Sequence, residues 1–281
     1  MTRRLELFAP WVVVFVVVLV GVILAPSLPT GRKAEAKERI GSEEHPLIES
    51  TLDRLEAERD RSRPLVLLFG NSILHHAWYG IEAVADERCE ALALAPCPQI
   101  DRIVLSAARL QDFARYVPRI VALEPDVLIV QGSVVLSRPK ETDRGHRNPE
   151  AMRRGPRPGT ERTAEDYERI RKQWAPVTFD PELRDLGTLR RLHDSLPDTR
   201  IMMLQIPRSP TMLELMPKGY RRQFLETLAA FSESREIPIL SVGDDSDWED
   251  DLYYDFVHFN RRGHRRIAQS GVVDELLRTV E

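Results

Sequence analysis

The chain of 281 residues is 42% hydrophobic and 30% charged, with 40 Lys+Arg against 44 Asp+Glu and a formal net charge of -4. With 14 Gly, 20 Pro and no repeated period, it falls outside the disordered, collagen-like and solenoid classes. Near-balanced charge argues against the basic face that nucleic acid needs, and no Cys/His cluster has zinc spacing, so neither a nucleic-acid partner nor a metal or cofactor is expected.

The run from Leu7 to Ala25 carries no charge and is interrupted only by Pro10 and Gly21. As a helix it would rise about 28 Å, enough to cross a hydrocarbon core of about 30 Å. With Arg3 and Arg4 ahead of it, it reads as a transmembrane signal-anchor over residues 1–26. Arg32, Lys33, Lys37 and Arg39 follow it, so the positive-inside count alone leaves orientation open. The expected placement of the remainder is outside the cytoplasm, in a periplasm or at a cell surface. Residues 27–63 read as a charged stalk ending in an amphipathic helix, with Leu47, Ile48, Leu52 and Leu55 at helical spacing.

From Pro64 onward, short apolar runs alternate with longer amphipathic segments, which is an α/β pattern. The predicted strands are Leu65 to Phe69, Ala91 to Ala95, Asp126 to Gln131, Arg200 to Ile206 and Ile237 to Val242. Helices are predicted over Ile100 to Tyr116, Pro181 to Ser195, Lys218 to Ser234 and Arg261 to Val280. Together they predict one doubly wound sheet of five parallel strands over residues 64–281, with an insertion at about 137–176.

Ligands of such a sheet sit outside the carboxyl ends of its strands. After the first strand comes Gly70-Asn71-Ser72, with Ser72 placed either to cap the next helix or to present its hydroxyl to a ligand. Neither a G-x-G-x-x-G nor a Gly-Lys-Ser/Thr sequence is present to hold a nucleotide phosphate. After the last strand comes Tyr254-Asp255-Phe256-Val257-His258-Phe259-Asn260. A serine hydroxyl becomes a useful nucleophile when an imidazole takes its proton and a carboxylate holds that imidazole. Asp255 and His258 can do both from one short loop, provided the first and last strands open on the same crevice.

These two blocks resemble the SGNH or GDSL-type hydrolases. Gly70-Asn71-Ser72 stands where that family has Gly-Asp-Ser, and Asp255 to His258, followed by Gly263, stands where it has Asp-x-x-His. The resemblance implies a flavodoxin-like sheet and Ser72-His258-Asp255 chemistry on O-acyl esters of carbohydrates or lipids. It also implies oxyanion donors from the middle blocks, where this chain departs from the pattern. Pro96 and Pro98 have no N–H to offer, which leaves the backbone of Cys97 beside that of Ser72. The third block reads Gly132-Ser133-Val134-Val135 and lacks the family's Asn, so Ser133 is the candidate replacement, with Gly132 and Asn71 lining the same place.

The expected function is ester hydrolysis on a small-molecule, lipid or polysaccharide substrate. The alternatives are an O-acyltransferase of envelope polysaccharide with the same triad, and a catalytically inactive binding protein of the same fold. Several other features carry secondary expectations. A strand over Ala91 to Ala95 would separate Cys89 and Cys97 by roughly 26 Å, against a limit of about 7 Å, so no disulfide is expected. The arginine- and proline-rich insertion reads as a mobile loop, or as a lid or basic contact for an anionic substrate. The acidic run from Asp244 to Asp251 lacks an EF-hand pattern and reads as a solvated loop. His75 and His76 are expected to line the helix start, and His264 to be structural or exposed.

Overall fold

Strand β1 (Leu65–Gly70) is buried at every position. A strand this apolar is stable only when covered on both faces, and its side chains alternate between two cores. Leu65, Leu67 and Phe69 enter one hydrophobic cluster, and Val66 and Leu68 enter the other. The computed structural model describes residues 46–105, 108–135, 162–175 and 186–280. Helix α1 (Pro46–Glu58) precedes β1 and buries Ile48, Leu52 and Leu55 in the first core. The compact unit therefore begins at Pro46. The amphipathic helix expected at the end of a stalk packs on the sheet.

After β1 come α2 (Ser72–Trp78) and α3 (Ile81–Ala91), then β2 (Gln99–Val104). A 3-10 helix (Leu110–Tyr116) and α4 (Val117–Ala122) lead to β3 (Val127–Gln131) and the single turn α5 (Gly132–Val135). Helices α6 (Ala164–Trp174) and α7 (Leu186–Ser195) precede β4 (Arg200–Gln205). Helices α8 (Pro210–Leu215) and α9 (Tyr220–Arg235) precede β5 (Ile239–Ser241), and α10 (Arg261–Gln269) and α11 (Val272–Arg278) complete the chain. The sheet has the order β2-β1-β3-β4-β5, and every pairing is parallel. This is the flavodoxin-like winding, whose ligand crevice lies between β1 and β3, where the order reverses.

The second strand corrects the sequence reading. Residues 91–95 are the end of α3 and a turn in which Ala93 has a left-handed φ of 56°. The strand is Gln99–Val104, and all of it but Gln99 falls in the segment expected to be helical. β2 lies at the sheet edge and is buried only at Ile100 and Ile103, and its Asp101 and Arg102 pair with Arg54 and Glu82, each at 2.6 Å. Edge strands carry such charges, which hid this one from a search for apolar runs. With residues 91–95 turned rather than extended, Cys89 and Cys97 come within 5.8 Å between Cα atoms and form a disulfide. The expectation of separate thiols fails with the strand it rested on.

Among the described residues no helix is long and apolar enough to cross a membrane. The expected anchor over residues 1–26, the stalk up to residue 45 and most of the insertion lie outside the described residues. The described part of the insertion forms α6.

The disulfide closes a short loop, and its chain-entropy contribution is about 2–3 kcal/mol. Replacing both Cys89 and Cys97 by Ala is expected to lower unfolding stability by that amount in urea titrations. Thiol titration of the denatured, unreduced chain is expected to find no free cysteine, and two reactive thiols would contradict the assignment.

Candidate active site

Asn71, not Ser72, caps α2: its side chain accepts a hydrogen bond from the Ile73 N–H at 3.0 Å. Capping is thereby done one residue early, and the Ser72 hydroxyl is left for another partner. That partner is His258, whose Nε2 lies 2.8 Å from Ser72 Oγ. His258 Nδ1 in turn lies 2.7 Å from Asp255 Oδ2.

The loop bearing Asp255 and His258 is short and heavily tied. An antiparallel bridge between Tyr253 and Phe259 closes its base, and the Tyr254 N–H donates to the His258 carbonyl at 3.0 Å. Inside it, Asp255 Oδ1 accepts from the N–H groups of Val257 and His258, each at 2.8 Å. Burial opposes ionisation of Asp255, but the hydrogen bond and charge of His258 and the two backbone N–H groups together hold its carboxyl below the ordinary range. Asn260 then caps α10, accepting from Arg262 and Gly263 N–H while its amide donates to the Asp251 carbonyl. A Cβ at Gly263 would stand 2.3 Å from the Leu252 carbonyl oxygen, so only glycine lets α10 start this close to the loop.

Two further contacts hold the loop from outside. The buried Ser209 hydroxyl, after β4, donates to the Phe256 carbonyl at 2.9 Å. The Phe256 ring is buried against α6 and α8, with Tyr167 edge-on at 5.1 Å and the Arg162 guanidinium 5.1 Å above it. The described part of the insertion is therefore packed against the residue next to Asp255.

On the other side of the crevice, Gln131 ends β3. A Cβ at Gly70 would come within 2.4 Å of Gln131 Oε1, so the glycine admits this side chain beside Asn71. Gln131 Oε1 accepts from the Asn71 N–H at 2.9 Å, and its Nε2 donates to Asn71 Oδ1 at 3.2 Å and to Ser133 Oγ. Gly132 opens the following turn with a backbone packed close to Leu228. Val134 and Val135 are fully buried in the core.

The structure thus brings Ser72, Asp255, His258, Asn71 and Ser133 to the carboxyl ends of β1 and β3. It does not bring Cys97. That residue precedes β2 at the amino end of the sheet, in the disulfide, where Arg63 Nε holds its carbonyl at 2.8 Å. Its N–H cannot serve an oxyanion at the opposite end. The loop after β2 includes residues 106–107, outside the described residues.

Sequence reasoning missed Gln131, Ser209 and Tyr254, and placed His76 only at a helix start. His76 is buried, its Nε2 lies 3.2 Å from the Tyr254 hydroxyl, and its ring centroid lies 5.0 Å from that of His258. A glutamine ending an otherwise apolar buried strand, and a Ser-Pro pair just after another, were the available signals. His264 is half-buried on α10, and burial pushes its imidazole below the usual value.

Among the described residues no cluster of three or more His, Cys, Asp or Glu side chains could hold a metal ion. Three acids of the Asp244 to Asp251 run are engaged elsewhere: Asp245 by Arg221, Asp250 by Thr211 and Arg162, and Asp251 by Arg262.

No family model and no curated protein matches the chain. Among solved structures, an acetyl xylan esterase is 12% identical, covering 73% of this chain and 96% of its own, with a TM-score of 0.45. A protein of the G-D-S-L family from Desulfitobacterium hafniense is 12% identical over 77% of this chain and 99% of its own, with a TM-score of 0.44. TesA is 12% identical over the same shares, with a TM-score of 0.45. Similarity at this level leaves the chemistry of the chain to be read from its own residues.

Because the folded pKa of Asp255 lies below its unfolded value of about 3.9, its contribution to stability is complete above that value. It is lost as pH falls through the folded pKa. In urea titrations, Asp255→Asn is expected to flatten the fall of stability below about pH 4 relative to wild type. Superimposable acid limbs would contradict the hydrogen-bonding described.

Proposed function

We propose that the protein is a serine hydrolase of O-acyl esters on carbohydrate or lipid, with Ser72 as nucleophile, His258 as general base and acid, and Asp255 as the group that orients His258. The observation that carries this reading is the unbroken chain from Ser72 Oγ to His258 Nε2 and from His258 Nδ1 to Asp255 Oδ2. The ester class follows from the resemblance of the Gly70-Asn71-Ser72 and Asp255 to His258 blocks.

In the proposed reaction Ser72 Oγ attacks the acyl carbonyl as its proton passes to His258 Nε2. The imidazolium so formed is held by the Asp255 carboxylate. It returns the proton to the departing alkoxide, and the tetrahedral adduct collapses to an acyl-serine. A water, deprotonated by the same imidazole, then releases the acid. If a sugar hydroxyl takes the place of water, the same residues perform acyl transfer.

The oxyanion is assigned to the Ser72 N–H and the Ser133 hydroxyl, and the amide chain supports the second donor. The Asn71 N–H can only donate, so the Gln131 atom facing it is Oε1, and Nε2 is the atom that reaches Ser133. Ser133 Oγ is thus already an acceptor, and its own hydrogen is directed elsewhere, available to a developing oxyanion. This hydroxyl would stand in for the absent Asn side chain.

The unit is proposed to work outside the cytoplasm, anchored through the segment over residues 1–26. The Cys89–Cys97 disulfide supports this placement, since such bonds persist in oxidising compartments.

With p-nitrophenyl acetate, Ser72→Ala and His258→Ala are each expected to lower turnover by at least about 10³-fold. Ser133→Ala is expected to lower kcat by about 10²- to 10³-fold without loss of folding. A folded wild type without turnover on short-chain aryl or sugar esters would favour a binding protein instead. Wild-type activity retained in Ser133→Ala would remove Ser133 from the oxyanion site.

A further inference from the structure

The imidazole of His258 is enclosed by two rings that the reaction above does not use. Tyr254 lies parallel to it, with centroids 5.5 Å apart and planes 12° apart. His76 meets it edge-on, with centroids 5.0 Å apart and planes 68° apart. Tyr254 and His76 also meet each other, at 5.3 Å and 74°, and are joined by the hydrogen bond between the Tyr254 hydroxyl and His76 Nε2. The three rings form a closed triangle with contributions from two elements, the short loop and helix α2.

We infer that Tyr254 and His76 are positioning residues that hold the His258 ring in the one orientation joining Ser72 to Asp255, and that the Tyr254 face stabilises the imidazolium. The inference rests on the proposed hydrolase reading, and three features of the structure carry it. First, Tyr254 and His258 are locked at both ends of the same turn, by the Tyr254 N–H to His258 carbonyl bond and by the stacking of their rings. Second, the edge-on His76 blocks rotation of the imidazole toward α2 and is itself anchored, being buried in that helix. Third, a parallel aromatic face within about 6 Å attracts a cation more strongly than the neutral ring, so its hold on His258 tightens when the Ser72 proton arrives on Nε2. The groups that face His258 are then Ser72 and His76 from α2, and Asp255 and Tyr254 from its own loop. Of these, Asp255 supplies the charge and the hydrogen bond to Nδ1, Ser72 the proton, His76 a packed edge and Tyr254 a packed face.

The experiment compares full-length wild type with Tyr254→Leu, which keeps apolar bulk but has no π face, and Tyr254→Phe, which keeps the face and loses the bond to His76. Each is measured for p-nitrophenyl acetate kcat and KM, for thermal unfolding, and for the low-field proton resonance of the His258 Nδ1–H bonded to Asp255. Tyr254→Leu is expected to lower kcat by about 5- to 30-fold at nearly constant KM and to broaden or lose the resonance. Tyr254→Phe is expected to recover most of that loss and to keep the resonance. Should Tyr254→Leu not fold, Tyr254→Met is read by the same criteria. Equal kcat and equal resonance in the Leu and Phe variants would overturn the inference, as would a loss in Leu that appears in KM alone. A wild type that is folded but inactive would sink the hydrolase reading instead, and the resonance in the Leu variant would then decide the ring triangle by itself.

Discussion

A hydroxyl and an imidazole that are 186 residues apart along the chain are held 2.8 Å from each other, and the rest of the crevice is arranged around that contact. Neither group reaches it by its own preference. Ser72 opens a helix, where a serine ordinarily turns back to cap the N–H groups that lack partners. Asn71 takes over the capping, and Gly70 lets Gln131 lock Asn71 from the neighbouring strand. His258 projects from a loop, an unreliable platform unless its backbone is satisfied. Here the loop is closed by a bridge, filled by the Asp255 carboxylate and held from outside through the Phe256 carbonyl and ring.

Across the crevice the chain sets two amides and a hydroxyl in series, those of Asn71, Gln131 and Ser133. Gln131 is 1% exposed, and two of its three hydrogen bonds use both its N–H groups, which leaves it no donor to offer a substrate directly. Its role is to set the direction of others. It orients Asn71, which frees Ser72, and it occupies the acceptor side of Ser133, which leaves that hydroxyl a donor.

Much of this was legible in the sequence, and the failures have a common cause. β1, β3 and β4 lie in the sheet interior, where helices cover both faces, so their continuous apolar runs announced them to within a residue or two. The edge strand β2 needs apolar side chains on only part of its surface, and its Asp101 and Arg102 made it look like the start of a helix. That one error propagated: it made Ala91 to Ala95 a strand, forbade the Cys89–Cys97 disulfide, and moved Cys97 to the wrong end of the sheet. The meeting of Ser72 with Asp255 and His258 could be anticipated because Asp255 and His258 are three residues apart and the topology brings the ends of β1 and β5 to one side. Tyr254 and His76 could not, because their contacts arise from ring packing and side-chain direction that no linear spacing encodes, and Gln131 left only the signal of a polar residue closing an apolar strand.

Every proposed step depends on Ser72 being a nucleophile. Reaction of the full chain with a fluorophosphonate, followed by peptide mass analysis, tests this directly without assuming a substrate. One adduct per chain is expected, on the peptide containing Gly70-Asn71-Ser72 and localised to Ser72. An adduct on any other residue, or a folded chain that takes up no label, would contradict that role.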